Sequence, residues 1–550
     1  MKRRNGALRR PRTGIAVAVS LVGVLALSGC GQSAIGQHAG TFELTAETPA
    51  PAGDIDRFTW ALTTEPFSLD PAYAFDYADN TVLSNMCESL LRWNADLSVS
   101  PGLATSFENP DPLTWVYTIR EGVQFHDGTT MTPHDVVVSL QRHLDPEVGS
   151  FWYSTFQNVA SVEQTGEHEV TVRTTEPDSQ FNQLMSAAPG VVQSAASTEE
   201  AGPDYGNQST GVNCTGPFQF EEWRSGESIT MSRFDDYWDP DLRARADEVE
   251  FVILNDANAR VNALQTGEID GAWTIPTNAI DPMRASDTGN VYFGTNATVQ
   301  SIVISDMEGP LGDVRVRRAL ALALDREALA QAAVQGYGTP TDSLTPESVW
   351  RDADDATRAR AFDDIAHYDY DLEEARELVR EAGAEGERIV FATSSLDPSF
   401  DVVSQAMASA GKEIGLDIEI DTRSQNAYTL LFSDPAAIEG VDMFTTLWYL
   451  SSTDPLEMYS VLRTDEFSNY GKWSDPEFDD VVNRAVATLD ADERFALAAD
   501  AQRIATDQLP WIPLFDLPAT VWMGDRITGV DPSINYLYFP WAAKIGRAEQ

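Results

Sequence analysis

Basic residues, cysteines and long apolar runs are all scarce in this chain of 550 residues, and each scarcity argues against a class of function or site. Lysine and arginine together number 37 against 86 aspartates and glutamates, so the formal net charge is −49. Nucleic-acid binding needs a basic surface, and that class of function is therefore excluded. Such a charge could attract cationic solutes, but charge spread this widely is more typical of a surface adapted for solubility.

Cysteine and histidine are too few and too scattered to predict a metal site. The three cysteines are Cys30, Cys87 and Cys214, and there are six histidines. No Cys/His set has the spacing of a zinc site, and no glycine-rich loop has the phosphate-binding pattern. The sequence therefore predicts neither a metal nor a cofactor. For Cys87 and Cys214 two interpretations stay open, a disulfide formed outside the cytoplasm or two buried free thiols.

One apolar stretch, near the amino terminus, is long enough to be noticed but too short to span a bilayer comfortably. It runs from Ile15 to Leu27, follows six basic residues and ends in Leu27-Ser28-Gly29-Cys30. This order is typical of a signal peptide followed by a lipoprotein cleavage site. We expect residues 1–29 to be removed and lipid on Cys30 to hold the protein at the outer face of the cell membrane. An ordinary signal peptide with a chance cysteine is the alternative.

Residues 30–53 are rich in glycine, alanine, threonine and proline. Such a composition predicts a flexible tether between the lipidated cysteine and the folded body.

The clearest local pattern in the body lies in residues 114–146. Alternating apolar and polar residues in 114–119 predict a strand, and Asp127-Gly128 predicts a tight turn. Thr132, with proline after it and Asp135 three residues on, predicts a capped helix. His126 beside Asp127 could act as a catalytic base, but no nucleophile is visible beside them, so we prefer a structural role.

Two stretches resemble a known family. The run REGVQFHDGTTMTPHDVVVSLQR, from Arg120 to Arg142, closely resembles the signature of the family-five extracytoplasmic solute-binding proteins, the peptide- and nickel-type receptors of ABC importers. DVRVRRALALALDREALAQAAVQGYGTPTDS, from Asp313 onward, is a second strong match. The resemblance implies an α/β fold in which two lobes close on a ligand about a hinge.

The resemblance also implies how the lobes are divided. It places lobe I at residues 54–295, with a small α+β subdomain at about 76–212, lobe II at 296–515, and a return to lobe I at 516–550. Lobe I is thus split in sequence.

Periodicity within this frame predicts further elements. A βαβ unit with parallel strands is predicted from Ile389 to Ile420, and a helix from Asn80 to Trp93. Ser474 and Glu477 predict the cap of a later helix.

Ligand-contacting positions follow partly from the position of aromatic residues and partly from the resemblance. The candidates are Phe75, Tyr77, Trp448, Ser451, Asp454, Tyr470 and Trp473. For the aromatic residues, packing in a core is the alternative, and for Asp454, which precedes Pro455, the alternative is a role in fixing the turn. In peptide-binding relatives an aspartate at the position of Ser451 pairs with the terminal ammonium of the peptide. A hydroxyl offers only a neutral hydrogen bond there, so we expect ordinary peptides with a free amino terminus to bind weakly.

The sequence as a whole predicts a monomeric lipoprotein that captures an oligopeptide or related small solute and delivers it to an ABC permease with its ATPase subunits. No catalytic set of residues is visible. Two alternatives remain: a secreted hydrolase on the same scaffold, which would need a nucleophile and a base, and a surface lipoprotein without a role in transport.

Overall fold

The computed structural model describes residues 42–549. The predicted signal peptide, the lipidation site Cys30 and the first part of the tether lie outside the described residues. The strands are β1 (Ile55–Leu62), β2 (Leu91–Trp93), β3 (Val99–Pro101), β4 (Ala104–Asp111), β5 (Thr114–Ile119), β6 (Val159–Gly166), β7 (Glu169–Thr174), β8 (Phe218–Arg224), β9 (Ser228–Arg233), β10 (Ala246–Ile253), β11 (Gly271–Trp273), β12 (Gly289–Gly294), β13 (Thr298–Ile304), β14 (Thr339–Pro340), β15 (Arg388–Ser394), β16 (Asp417–Arg423), β17 (Met443–Tyr449), β18 (Trp511–Asp516), β19 (Ala519–Gly524), β20 (Ile527–Thr528) and β21 (Gly546–Arg547).

The α-helices are α1 (Tyr77–Leu83), α2 (Pro133–Arg142), α3 (Tyr153–Phe156), α4 (Phe181–Leu184), α5 (Ala195–Ala201), α6 (Ala257–Thr266), α7 (Thr277–Arg284), α8 (Val314–Leu322), α9 (Arg326–Ala333), α10 (Asp355–Asp363), α11 (Leu372–Ala382), α12 (Pro398–Ile414), α13 (Gln425–Thr429), α14 (Pro435–Ile438), α15 (Leu456–Ser460), α16 (Pro476–Ala487) and α17 (Ala491–Gln508). Within residues 42–549, none of the helices is both long and apolar enough to cross a bilayer.

The first lobe is built on a seven-stranded sheet with the order β12-β19-β11-β1-β10-β9-β8. Strand β1 is parallel to β10 and β11, and its buried residues include Phe58, Trp60 and Leu62. Strand β19, from the far end of the chain, lies between β11 and β12 and is antiparallel to both. The first lobe is therefore assembled from two separate parts of the sequence.

The second lobe is built on a six-stranded sheet with the order β14-β18-β13-β17-β15-β16. Strands β15 and β16 are parallel, in register from Arg388 opposite Asp417 to Ser394 opposite Arg423. Helix α12 connects them and ends at Gly415, whose φ of 94° favours glycine. The predicted βαβ unit is confirmed.

The chain passes between the two sheets twice. Residues 295–297 join β12 to β13, and residues 517–518 join β18 to β19. Asn296 ties the crossings together, since its Nδ2 donates to the carbonyl of Leu517 at 2.8 Å. These crossings lie at or beside the lobe boundaries predicted at 295–296 and 515–516.

A separate four-stranded sheet, β4-β5-β7-β6, lies in the part of the first lobe predicted as a subdomain. Helix α2 packs against this sheet with Val136 and Leu140 buried. The predicted cap of α2 is confirmed, because Asp135 Oδ2 accepts hydrogen bonds from Thr132 N at 2.8 Å and Thr132 Oγ1 at 2.7 Å.

His126 and the two remaining cysteines hold the loops beside this sheet. His126 Nε2 donates to the carbonyl of Gly216 at 3.1 Å, and its Nδ1 accepts from Cys214 N at 3.4 Å. Burial lowers the pKa of His126 to about 4, so the ring stays neutral. Cys87 and Cys214 form a disulfide with a Cα–Cα distance of 4.9 Å. His126 is therefore structural.

The chain before β1 differs from the flexible tether predicted for residues 30–53. Thr45 N donates to the carbonyl of Phe293 at 2.6 Å, and Ala52 N donates to the carbonyl of Arg547 at 2.8 Å. The ring of Phe42 stacks on that of Phe293 at 4.9 Å. Composition predicted freedom here, but backbone pairing and aromatic stacking fix residues 42–53 along the first lobe.

Two local predictions were wrong. The helix predicted from Asn80 to Trp93 ends at Leu83, because the chain then turns so that Leu91 N donates to the carbonyl of Met185 at 2.9 Å and β2 pairs with β3. The cap predicted at Ser474 is instead Asp475, which accepts from two backbone amides of α16. Proline at the first helical position requires the cap to be the residue before it.

Candidate functional site

A cleft lies between the lobes at the two crossings. It holds about 650 Å³ of empty space, part of which is open to solvent. Both lobes and both crossings contribute to its walls. The lining residues are Tyr77, Thr274, Ile275, Thr277, Ile280, Asn296, Thr298, Gln300, Val334, Tyr337, Asp397, Ser399, Leu447, Leu517, Pro518, Ala519, Thr520, Ile534 and Tyr536. The walls are mixed apolar and polar, as in sites that enclose a small organic solute.

A chain of hydrogen bonds joins polar residues on the second-lobe wall. Gln300 Nε2, on β13, donates to Ser399 Oγ at 2.8 Å, and Ser399 Oγ donates to Asp397 Oδ1 at 2.5 Å. Asp397 also caps α12, accepting from Ser399 N at 2.8 Å. Burial raises the pKa of this carboxyl group, while the bonds from Ser399 and the charge of Arg260 lower it.

Tyrosines connect the two lobes beside the cleft. Tyr449 OH, at the end of β17, donates to the carbonyl of Phe75 at 2.6 Å and lies 3.3 Å from Asn80 Nδ2. Tyr77 OH lies 3.3 Å from Thr298 Oγ1 and 3.4 Å from the carbonyl of Leu447. Burial raises the pKa of both tyrosines well above the usual range, so their hydroxyls keep the proton for these bonds.

Among the predicted ligand-binding aromatics, Tyr77 lines the cleft and the others have mainly packing roles. Phe75 packs edge-on against Phe151 at 5.0 Å. Trp448 packs edge-on against Trp511 at 5.2 Å. It follows Leu447 on β17, and successive strand residues point to opposite faces, so its ring points away from the wall that Leu447 lines.

Ser451 and Asp454 lie in the segment that follows β17. Ser451 is buried, and its hydroxyl lies 2.9 Å from that of Tyr538, in the first lobe. Asp454 is 2% exposed and accepts from Arg494 Nε at 2.6 Å. Ser451 therefore joins the lobes, and Asp454 neutralises a buried guanidinium.

Tyr470 and Trp473 are buried in a hydrophobic core to which both lobes contribute, outside the cleft lining. Tyr470 stacks with Trp511 at 6.4 Å, and its hydroxyl donates to the carbonyl of Phe432 at 3.4 Å. Trp473 packs against Phe478 at 4.8 Å.

Gln300, Asp397 and Tyr536 line the cleft but were not predicted from the sequence. One signal was available for Asp397. It follows β15, the first strand of the predicted βαβ unit, and ligands commonly bind beyond the carboxyl ends of parallel strands. Gln300 lies in a strand rich in β-branched residues, and the local pattern there predicts only that the strand is buried. Within the described residues, no cluster of three or more His, Cys, Asp or Glu could hold a metal ion.

Asp516, the last residue of β18 before the second crossing, leads to a prediction about pH. Burial, and then the charge of Glu347, raises its pKa to about 7 from 3.8. The folded protein therefore holds this proton more tightly than the unfolded chain does, and stability falls as pH rises from about 4 to about 7. Asp516→Asn is expected to stabilise the protein at pH 8, on the order of 1–2 kcal/mol after screening.

Urea unfolding at pH 5 and at pH 8 measures this effect. The side chain of Asp516 makes no hydrogen bond within the described residues, so asparagine removes the charge and little else. The gain over wild type should shrink toward pH 5. A gain of equal size at both pH values would contradict the assignment to Asp516.

Comparison with known proteins decides the family. The profile described as "Bacterial extracellular solute-binding proteins, family 5 Middle" matches residues 98–470. The chain belongs to this family. Family-5 proteins are the solute-binding components of ABC importers, so this family-5 protein is an extracytoplasmic binding protein and not an enzyme.

Individual relatives are distant but cover most of the chain. The family-5 protein is 26% identical over 455 residues to the glutathione-binding protein GsiB of Escherichia coli K12, covering 81% of this chain and 86% of GsiB. It is 24% identical over 547 residues to the oligopeptide-binding protein OppA of Bacillus subtilis, covering 95% and 98%.

The fold agrees with that of solved family members. The periplasmic binding protein DppA of Helicobacter pylori, in complex with the peptide STSA, superposes with a TM-score of 0.80 at 20% identity, covering 90% of this chain and 99% of DppA. The α/β fold with two lobes, predicted from the sequence, is confirmed.

Proposed function

We propose that this family-5 protein is the lipid-anchored receptor of an ABC importer, that it captures an oligopeptide or a related small solute by closing its lobes, and that it delivers the solute to a membrane permease. The observation that carries the proposal is the cleft, whose walls come from both lobes and from both crossings. A solute held there touches both halves at once, and so favours the closed arrangement.

Two sets of findings support the ligand class. GsiB is named for binding glutathione and OppA for binding oligopeptides, and DppA was solved with a peptide. The mixed polar and apolar walls suit a solute that has both backbone amides and side chains. Lipid on Cys30, cleavage after residue 29 and a monomeric state belong to the proposal on the strength of the sequence.

The closing of the lobes must be driven by differential binding. Moving a clamp from mostly open to mostly closed takes about 5.5 kcal/mol of preference for the closed state. The bond from Tyr449 to the carbonyl of Phe75 joins the two lobes in this arrangement. Because it favours the closed state without the solute, it reduces the preference that the solute must supply.

Native mass spectrometry of the protein purified from its host tests the function, since a receptor should carry its solute. Binding of that solute should then raise Tm and lower the radius of gyration measured by X-ray scattering. The absence of any bound small molecule, together with the failure of peptide and solute libraries to raise Tm, would overturn the proposal.

Tyr449→Phe is the variant that tests closure. Loss of one bond worth about 1 kcal/mol should raise Kd about fivefold in calorimetry, because the closed state is less favoured. Tyr428→Phe is the matched control. Tyr428 OH also donates to a backbone carbonyl at 2.6 Å, that of Thr445, but within the second lobe. Tyr428→Phe should therefore lower Tm and leave Kd unchanged. Equal effects of the two variants on Kd would contradict the lobe-joining role of Tyr449.

A further inference from the structure

An amide and a carboxylate converge on one hydroxyl group in the cleft, the amide as donor and the carboxylate as acceptor. Gln300 comes from β13 and Asp397 from the start of α12, and both bond to Ser399 Oγ. All three side chains line the cleft. The amide and the carboxylate are therefore neighbours at one point of the second-lobe wall.

The proton of Ser399 fixes how these groups are oriented. A hydroxyl has one proton to donate, and Ser399 gives it to Asp397 Oδ1 at 2.5 Å. It must then accept from the amide NH₂ of Gln300, which turns Gln300 Oε1 away from it. Gln300 is wholly buried, and its Oε1 has no hydrogen-bond partner within the described residues.

Asp397 also has unused accepting capacity. Both of its side-chain bonds, from Ser399 N and Ser399 Oγ, end on Oδ1. Oδ2 makes no hydrogen bond to any described residue. A buried acceptor without a partner, such as Gln300 Oε1, costs free energy of folding. Gln300 shares the hydroxyl of Ser399 with the half-buried carboxylate of Asp397, so this part of the cleft wall suits a hydrogen-bond donor.

No cation of the chain neutralises this carboxylate by contact. Arg260, in α6 of the first lobe, influences the charge of Asp397 but forms no ion pair with it within the described residues. Its guanidinium donates instead to the carbonyl of Leu254 at 2.7 Å. The acceptors at Asp397 and Gln300 thus have no cationic partner within the described residues.

We propose that Asp397 Oδ2 and Gln300 Oε1 form the subsite for a protonated amine of the bound solute. This inference rests on the proposed function and adds the chemistry of one ligand group. At the position of Ser451 the chain has a hydroxyl that is engaged with Tyr538, so the amine is held on a different wall. The weak binding of free amino termini expected from Ser451 is therefore not expected if this subsite exists. A charge-assisted bond to a carboxylate in a partly closed cleft is strong enough to select for an ammonium group.

The test is an equimolar pool of tripeptides in which each sequence is present both with free amines and with every amine acetylated. Peptides retained by the full-length protein on gel filtration are identified by mass spectrometry. We expect the free-amine forms to be retained about tenfold to a hundredfold better. Separate acetylation of the α-amine and the lysine side-chain amine in a retained peptide then shows which of the two is bound.

Asp397→Asn is the decisive variant. Asparagine is as good a helix cap as aspartate and still accepts from Ser399, so α12 should keep its stability. The variant should lose the preference for free amines over acetylated forms. Asp371→Asn is the matched control, because Asp371 caps α11 in the same lobe by accepting from Glu373 N and Glu374 N and does not line the cleft.

The outcomes separate this inference from the proposed function. Equal retention of free and acetylated peptides, or an unchanged preference in Asp397→Asn, overturns the amine subsite and leaves the receptor function standing. Retention of no tripeptide also overturns it, and the native mass spectrum decides independently whether the protein is a solute receptor.

Discussion

Reducing the Cys87–Cys214 disulfide is expected to lower the free energy of unfolding by about 2–5 kcal/mol. The bond joins residues 127 positions apart, so it removes much of the conformational freedom of the unfolded chain. It also fastens the segment after α1 to the loop that His126 holds. Urea unfolding followed by tryptophan fluorescence, with and without reductant, measures the difference in midpoint.

The double variant Cys87→Ala/Cys214→Ala provides the control for this first prediction. Both sulfur-bearing side chains are buried, and alanine leaves only a small space behind. The variant should unfold close to the midpoint of the reduced wild type and should not respond to reductant. Identical midpoints for the oxidised and reduced wild-type protein would contradict the prediction.

Asp454→Ala is expected to lower the free energy of unfolding by about 3–5 kcal/mol, because it leaves a buried charge without its partner. Asp454 and Arg494 are 2% and 6% exposed, and the Oδ2–Nε distance is 2.6 Å. Asp454 Oδ1 additionally accepts from Leu456 N at 2.9 Å. Thermal and urea unfolding measure the loss, and solute affinity measured well below Tm should be retained if the residue is structural.

Two further variants show where that loss originates. Asp454→Ala combined with Arg494→Met also removes the unpaired guanidinium charge, and this double variant should recover part of the stability. Asp480→Ala breaks an ion pair with Arg484 that is largely exposed on α16, and should change stability by less than about 1 kcal/mol. A loss in Asp454→Ala no larger than that in Asp480→Ala would show that burial of the pair has little effect.

Elements decided by neighbouring residues could be predicted from the sequence. The cap of α2 needs only Thr132, the proline after it and Asp135, and the βαβ unit of the second lobe needs only apolar periodicity and a glycine at the end of its helix. The cap of α16 was missed by one residue, although the proline at its start carried the information. The helix predicted from Asn80 to Trp93 failed because apolar spacing continues into a segment whose backbone pairs with distant strands.

The candidate site could be predicted only where the family resemblance or aromatic residues in a loop pointed to it. Tyr77, which lines the cleft, was among the candidates chosen in this way, and its contact with a ligand stays a prediction. Gln300 and Ser399 are 99 residues apart in the sequence, and Asp397 is close to Ser399. No local sequence pattern predicts a contact over such a separation. Trp473 and Tyr470 show a second limit. An aromatic residue near a strand end looks the same in the sequence whether it faces a core or a cleft.

The position of β19 dictates the order in which a newly made chain can be completed. Strand β12 is at the sheet edge and pairs with β19, so it waits for residues near the carboxyl end of the chain. Every strand of the second lobe lies before residue 517, so that lobe can pair all of its strands while the first lobe still exposes unpaired backbone. A premature stop after residue 516 would therefore damage the amino-terminal half of the molecule and spare the half nearer the truncation.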